Sequence, residues 1–249
     1  KAVRRETLFA VNGDSVGRLA EAASAAAAPS ARLVYVSSLA AAGPHTGDRP
    51  AREEYLPRPV SDYGRSKLLG EELLRRHCSG ISWTIVRPPA IYGPRDTDVF
   101  EFFRMARRGV IALPGGERWL TVAWVGDVVR SVLAAAAGAP RRIYHIGEPD
   151  PILLDKLLAE LCQAGGVSAR MLTIPPALVR AVGAVGSGLQ RIGWRRLALT
   201  GDKTRELLAR HWTAQTVESM NSLGVQRATR FADGAAITWD WYRERGWLS

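Results

Sequence analysis

The sequence predicts an α/β fold: a parallel sheet covered by helices, followed by a smaller, mostly helical lobe. Two observations carry this. Short β-branched and aromatic runs bounded by small residues alternate with longer stretches of helical periodicity along the first two thirds of the chain. Those runs, "RLVYV", "WTIV" and "RIYHI", are rich in β-branched and aromatic residues without a strict apolar/polar alternation, as strands buried on both faces are. With 249 residues, 47% of them hydrophobic, the chain can bury a large core.

Residues 3–27 carry apolar residues at helical spacing and many alanines, and Pro29 follows, so a helix is expected there. "RLVYVSS" then reads as a buried strand with Ser37 and Ser38 at its carboxyl end. The proline- and charge-rich loop "HTGDRPAREEYLPRPVSD" leads to "YGRSKLLGEELLRRHC", where Leu68, Leu69, Leu73 and Leu74 mark an amphipathic helix. A second strand, "SWTIVRP", closes in the loop "PAIYGPRD". A helix around residues 98–108, the turn "LPGGER", the apolar run "WLTVAWV" and the helix "DVVRSVLAAAAG", with Asp127 as its expected N-cap, come next. The strand "RIYHIG" and the helix "PILLDKLLAELCQAGG" end the alternation. The expected division is a core over residues 1–166 and a helical lobe over 167–249, onto which Trp239, Trp241, Tyr242 and Trp247 pack the last helix.

Composition excludes several classes. No apolar stretch approaches the roughly 20 residues that cross a bilayer. Cys78 and Cys162 stand far apart, and the four histidines are scattered, so neither a disulfide framework nor a metal site is expected. The net charge of +10 comes from 34 basic residues interspersed with 24 acidic ones, without the basic block that nucleic-acid binding favours. The basic, amphipathic stretch "ALVRAVGAVGSGLQRIGWRRLAL" leaves peripheral membrane contact open, although a lobe helix over a substrate cleft is the favoured reading. The opening residues do not read as a secretory leader, and a cytoplasmic location is expected.

The chemistry centres on Tyr63 and Lys67. On a helix, positions i and i+4 share a face, so both side chains can address one site. A tyrosine hydroxyl, with an ordinary pKa of about 10, works near neutrality only when lowered by roughly three units, about 4 kcal/mol, and an adjacent ammonium supplies part of that. Only four basic residues are lysines, which singles out a compact ammonium at position 67. Ser38, at the end of the preceding strand, could hydrogen-bond the same substrate oxygen, and ligands of open α/β sheets bind at that edge. An isolated Tyr-x-x-x-Lys is more often the ordinary start of a helix; its place between "YVSS" and "RPPAIYGP" changes the weighing.

These residues are where the chain resembles a known family. Through "RLVYVSSLAAAGP", "PVSDYGRSKLLGEELL", "IVRPPAIYGPRD", "VAWVGDVVRSVLAA", "RIYHIGEPDPILLDKLLAEL" and "LGVQRATRFADGAAITWDWYRERGWL", it resembles the extended short-chain dehydrogenases/reductases, the NAD-dependent epimerase/dehydratase group. The resemblance spans the chain and implies a Rossmann-like sheet, here partial. It implies Tyr63 as catalytic acid/base, Lys67 on the nicotinamide ribose and lowering the tyrosine pKa, and Ser38 orienting the reacting oxygen. Asn12 matches the family's helix asparagine, with a surface or internally bonded asparagine as the equal alternative. Pro88, Pro89, Ala90 and Ile91 would lie beside the nicotinamide of NAD or NADP, and Ser38, Leu39, Tyr92, Arg95 and Arg118 would contact substrate. The implied activity is an NAD(P)-dependent oxidoreductase, epimerase or dehydratase acting on a carbinol or carbonyl carbon. A non-catalytic scaffold relative is the alternative. A homodimer through the helices of residues 3–27 and 63–77 is also implied.

Departures from the family pattern bear on ligands. Members acting on nucleotide-diphosphate sugars often carry asparagine at the position of Ala90 and arginine near that of Leu120; Arg95 or Arg118 would have to substitute. A small alcohol, a ketone or a sterol-like molecule is therefore expected ahead of a sugar nucleotide. The family's glycine-rich phosphate loop is missing, and "VGAVGSG" follows a helix-like segment instead of a strand, so helix packing is its expected role. At roughly 30 residues per strand-helix unit, about 70 to 80 residues of the family's amino-terminal half are expected to be missing, as in a fragment of a longer protein, an incomplete gene or a degenerate descendant.

Overall fold

The computed structural model describes residues 4–26, 28, 30–45, 49–191, 200–225 and 227–248. The chain opens with α1 (Arg5–Phe9), a π-helical turn (Ala10–Asp14) and α2 (Ser15–Ala26). β1 (Arg32–Val36), the single turn α3 (Leu39–Ala42), α4 (Asp62–His77), β2 (Ser82–Arg87) and β3 (Ala90–Tyr92) follow. Next come α5 (Phe100–Arg107), β4 (Val110–Pro114), β5 (Trp119–Leu120), β6 (Val122–Trp124), α6 (Val125–Ala137) and β7 (Arg142–His145). β8 (Ile152–Leu153), α7 (Leu154–Gly165), β9 (Arg170–Ile174), α8 (Pro176–Arg191), α9 (Gly201–Leu208), β10 (His211–Trp212), α10 (Val217–Ser222) and α11 (Phe231–Glu244) complete it.

The three apolar runs pair as expected. β1, β2 and β7 form a parallel sheet in that order, with Val34 opposite Thr84 and Val86 opposite Tyr144. α2 and α4 cover one side, where Ala20, Leu74, Ile81 and Ile85 form an apolar layer. α6 and α10 contribute Val128, Ala135, Met220 and Leu223 to another, around Val86 and Tyr144. The largest core joins distant segments: Phe103, Ile111, Leu158, Leu161, Trp239 and Tyr242 are each fully buried in it. It unites α5, α7 and α11, and therefore residues on both sides of position 166.

Several local features differ from the sequence expectation. The loop after β2 contains β3, which pairs in parallel with β6, and β9 adds a parallel partner for β4. Both are short or exposed, so their residues carry little of the apolar signature of a buried strand. The helix expected over 3–27 is interrupted by the π turn at Asn12, and residues 3 and 27 lie outside the described ones. "VGAVGSG" lies inside α8, and a Cβ on Gly183 would meet Thr204 Oγ1 at 2.1 Å, so this glycine serves helix packing.

Asp127 is not the N-cap of α6. The helix begins as soon as β6 ends, with Trp124 at the cap and Asp127 in the first turn. Its buried carboxylate accepts from Thr229 N at 2.7 Å and from Thr229 Oγ1 at 3.1 Å, and it pairs with Arg130. It thus clamps the strap leading into α11, a job no local pattern announces.

Glu148 sits at the same strap and accepts from the Phe231 N–H at the start of α11. Burial, reinforced by Glu160 and Asp127, pushes its pKa up to about 7. A carboxyl raised in the folded state binds its proton more tightly there than in the unfolded chain. The stability it contributes is present below the unfolded value and lost as pH rises through about 7. Glu148→Gln is therefore expected to unfold like the parent near pH 5 but to be more stable by about 2 to 3 kcal/mol near pH 8. Urea unfolding at the two pH values checks this, and parallel curves for the two proteins would refute it.

Candidate active site

Ser38 reaches the sheet edge because β1 stops there and its end is tied to β2: Ser37 N donates to Val86 O and Leu39 N to Pro88 O, both at 2.8 Å. Ser38 N-caps α3, accepting from Ala40 N at 3.1 Å. α4 starts beside it, with Ser61 as N-cap accepting from Gly64 N at 3.0 Å. A Cβ on Gly64 would lie 2.3 Å from Ala40 O, so only glycine lets α4 come this close to α3. This approach places the Tyr63 phenol in hydrogen-bonding reach of Ser38.

Lys67 follows one turn later, and its Nζ donates to Val36 O at 3.0 Å and lies 5.1 Å from the centre of the Tyr35 ring. Asn12 Nδ2 donates to Ser66 Oγ at 3.1 Å, and Ser66 Oγ donates to Tyr63 O at 2.7 Å. Asn12 is therefore bonded internally, to the helix that carries the tyrosine. Its carbonyl, in the π turn, accepts from Tyr35 at 2.9 Å, and Gly70 leaves the space for that approach. π turns are frequent at functional sites.

Burial raises the Tyr63 pKa, with a lesser rise from Glu206 and Asp98, and the Ser38 hydrogen bond opposes it. Burial lowers the Lys67 pKa, while Glu71 acts to raise it. On balance the tyrosine pKa is raised, and the Lys67 ammonium is turned to the end of β1.

Beneath the site lies a buried polar network that the sequence reading missed. Glu71, fully buried, accepts from Arg87 Nε at 2.8 Å, Arg87 Nη2 at 2.6 Å and Ser37 Oγ at 2.6 Å. Arg87 Nη1 also lies 3.4 Å from His145 Nε2, and His145 Nδ1 lies 3.0 Å from Ala51 O. Burial and Arg87 push the His145 pKa down to about 4, so the ring is neutral. The available signal was Arg87 at the end of an apolar strand, since a guanidinium there needs a buried carboxylate.

α9 is fastened to the amino end of α4. Glu206 accepts from Ser61 Oγ at 2.6 Å, Asp202 from Asp62 N at 2.7 Å, and Arg205 donates to Val60 O at 3.0 Å. These bonds bring residues 140 positions away to the mouth of the site.

The other expected site residues divide. Pro88 and Pro89 are buried and Ala90 is exposed at the start of β3, with Ile91 partly buried. Arg95 is exposed and has φ +72°, a left-handed conformation held because Asp96 O accepts from the Tyr242 hydroxyl at 2.7 Å. Leu39 and Tyr92 are core residues, Tyr92 against Phe231 and Trp124. Arg118 is buried, donating to the carbonyls of Pro114, Gly115, Gly116 and Leu207. Of the two helices expected to pair between subunits, α4 packs Leu69 and Leu73 onto Gly13 and Gly17 of its own chain.

The family model described as the NAD dependent epimerase/dehydratase family matches residues 1–147, which hold Asn12, Ser38, Tyr63, Lys67, Glu71, Arg87 and His145. The chain belongs to that family. A ceramide reductase of Caulobacter vibrioides is 31% identical over the whole of this chain and 73% of its own length. Among solved structures, the UDP-glucose 4-epimerase of Thermus thermophilus with NAD has a TM-score of 0.73 at 23% identity, over 94% of this chain and 70% of that one. The Thermotoga maritima UDP-glucose 4-epimerase with UDP-glucose also reaches 0.73, at 21% identity, over 95% and 71%. These two support the fold alone.

For this epimerase/dehydratase relative, the retained residues fit the nicotinamide half of a dinucleotide. Lys67 has no carboxylate partner among the described residues, which leaves its ammonium, one turn from Tyr63, as the candidate donor to a ribose hydroxyl. Pro88 and Pro89 give a stiff wall beside them. Among the described residues no helix is long and apolar enough to cross a membrane, and no cluster of metal-ligating side chains occurs.

Proposed function

We propose that the protein is an NAD-dependent reductase that converts a ketone on an amphipathic substrate to the alcohol. The observation that carries this reading is the Tyr63 phenol beside Ser38, with Lys67 one turn away at the carboxyl end of β1. Bound NADH supplies the hydride. Ser38 and Tyr63 hydrogen-bond the carbonyl oxygen and align it, and the Tyr63 hydroxyl gives that oxygen its proton. Lys67 holds the ribose, and Asn12, through Ser66, steadies the turn of α4 that carries the tyrosine.

The raised Tyr63 pKa supports the reductive direction, because a phenol kept protonated at neutral pH is a donor and a poor base. The substrate class is supported by the relative named a ceramide reductase and by Arg118, whose Nε and Nη1 are held by backbone carbonyls and serve as a brace. Ser38, Tyr63 and the exposed Arg95 remain as candidate substrate contacts.

NADH and NADPH oxidation with long-chain ketones, measured from about pH 6 to about pH 10, tests the assignment. The reductive rate is expected to stay level through neutrality and fall at alkaline pH, while alcohol oxidation rises about tenfold per pH unit below the tyrosine pKa. A reductive rate that peaks near neutrality and collapses below pH 8 would remove Tyr63 as the donor. Calorimetry with both dinucleotides, on this polypeptide and on its reading frame extended upstream, distinguishes a scaffold from an enzyme.

A further inference from the structure

A cleft of about 520 Å³ opens between α8 and α9, lined by Val60, Ala184, Leu208 and Ala209, with Gly201 and Thr204 deeper and Arg180 and Arg205 along it. Its size is that of a small-ligand site, and its walls are largely aliphatic. It begins where the reaction site ends. Val60 precedes Tyr63 by three residues, and the Ser61–Glu206 and Asp62–Asp202 bonds hold the α9 wall against the start of α4.

Three observations indicate what it holds. Arg205 is turned to its own surroundings, donating from Nε to Val60 O and from Nη2 to Asp202 at 2.8 Å. At its base Thr204, only 5% exposed, packs its hydroxyl against Gly183 of α8, so the floor of the cleft is closed by helix packing. Outside, the cleft runs into an uncovered apolar face of α8. From Ala184 this face passes over the exposed Ala177 and Ala181 to Leu178, Val182 and Val185, which are 53%, 49% and 62% exposed. Scattered exposed leucines and valines are ordinary; three at helical spacing beside an aliphatic cleft form one continuous surface.

We propose that the α8–α9 cleft is the subsite for the hydrocarbon chain of the substrate, which runs between Ala184 and Leu208 while the carbonyl lies at Tyr63. This rests on the ketone-reductase reading and adds where the chain goes. Burying each methylene there strengthens binding about fourfold, so chain length becomes a specificity determinant.

The test uses Ala184→Trp, a change at an exposed helix position that fills the cleft without touching the core. With short- and long-chain members of one ketone series, the ratio of long-chain to short-chain kcat/KM is expected to fall about tenfold in the variant. An unchanged ratio, or no preference for long chains in the parent, overturns the proposal. Binding of a pyrene-labelled long-chain alcohol, read by fluorescence anisotropy, is independent of turnover. The parent is expected to bind it and the variant to bind about tenfold more weakly, and equal binding by both, or by neither, overturns the subsite. Loss of dinucleotide oxidation with every ketone, alongside retained probe binding, would overturn the reductase reading and leave the subsite standing.

Discussion

Tyr63→Phe is expected to lower kcat about a thousandfold while leaving the fold intact. The phenol is the only group in this constellation that carries a transferable proton at the right place: Ser38 is a neutral hydroxyl that already accepts from Ala40 N, and Lys67 donates to Val36 O. Removing the tyrosine oxygen leaves the ring in place and deletes at most the polar contact to Ser38, so stability should change by no more than about 1 kcal/mol. Dinucleotide affinity should change little, since the ribose contact assigned to Lys67 persists. Thermal unfolding and calorimetry alongside steady-state kinetics separate these effects. A residual rate within tenfold of the parent would end the acid/base role, and a parent that turns over no ketone at all would favour a scaffold.

Arg87→Met is expected to cost about 3 to 5 kcal/mol of stability, roughly 10 °C or more in Tm for a chain of this size. The cost is that of the partner left behind. Glu71 is fully buried, and without the guanidinium its carboxylate keeps only the Ser37 hydroxyl as a close donor from within this network. The double substitution Arg87→Met with Glu71→Leu removes both charges and should recover most of the loss, because a buried ion pair contributes little beyond its own desolvation. Urea unfolding of the three variants measures this. A single variant within 1 kcal/mol of the parent would show that water reaches Glu71, contrary to its burial. The same network holds Ser37, next to Ser38, so the destabilised variant should also lose alignment of the reacting oxygen.

Much of this protein was legible from residue order because the signals are local. Apolar runs such as "RLVYV" and "SWTIVR" need two covering layers, and so read as strands of a parallel sheet. Tyr63 and Lys67 share a face by helical period alone, and the small residues after β1 end a strand at Ser38. Less legible were β3 and β9, whose few and partly exposed residues have no periodic pattern, and the cap of α6, which the prominent Asp127 drew three residues past Trp124. Asp127 is used by Thr229, about a hundred residues later.

Sequence by itself determined the fold class and the family, and it proposed the Ser38, Tyr63 and Lys67 set, since each rests on spacing within one element or on the order of elements. Only the tertiary structure decided how those groups behave. Burial beneath α9 raises the tyrosine pKa where a neighbouring lysine alone would have lowered it. Glu71 becomes the partner of Arg87, and Arg118 becomes a backbone brace. Desolvation and hydrogen-bond partnership depend on which segments meet, and bonds such as Ser61 to Glu206, 145 residues apart, leave no trace in the local pattern.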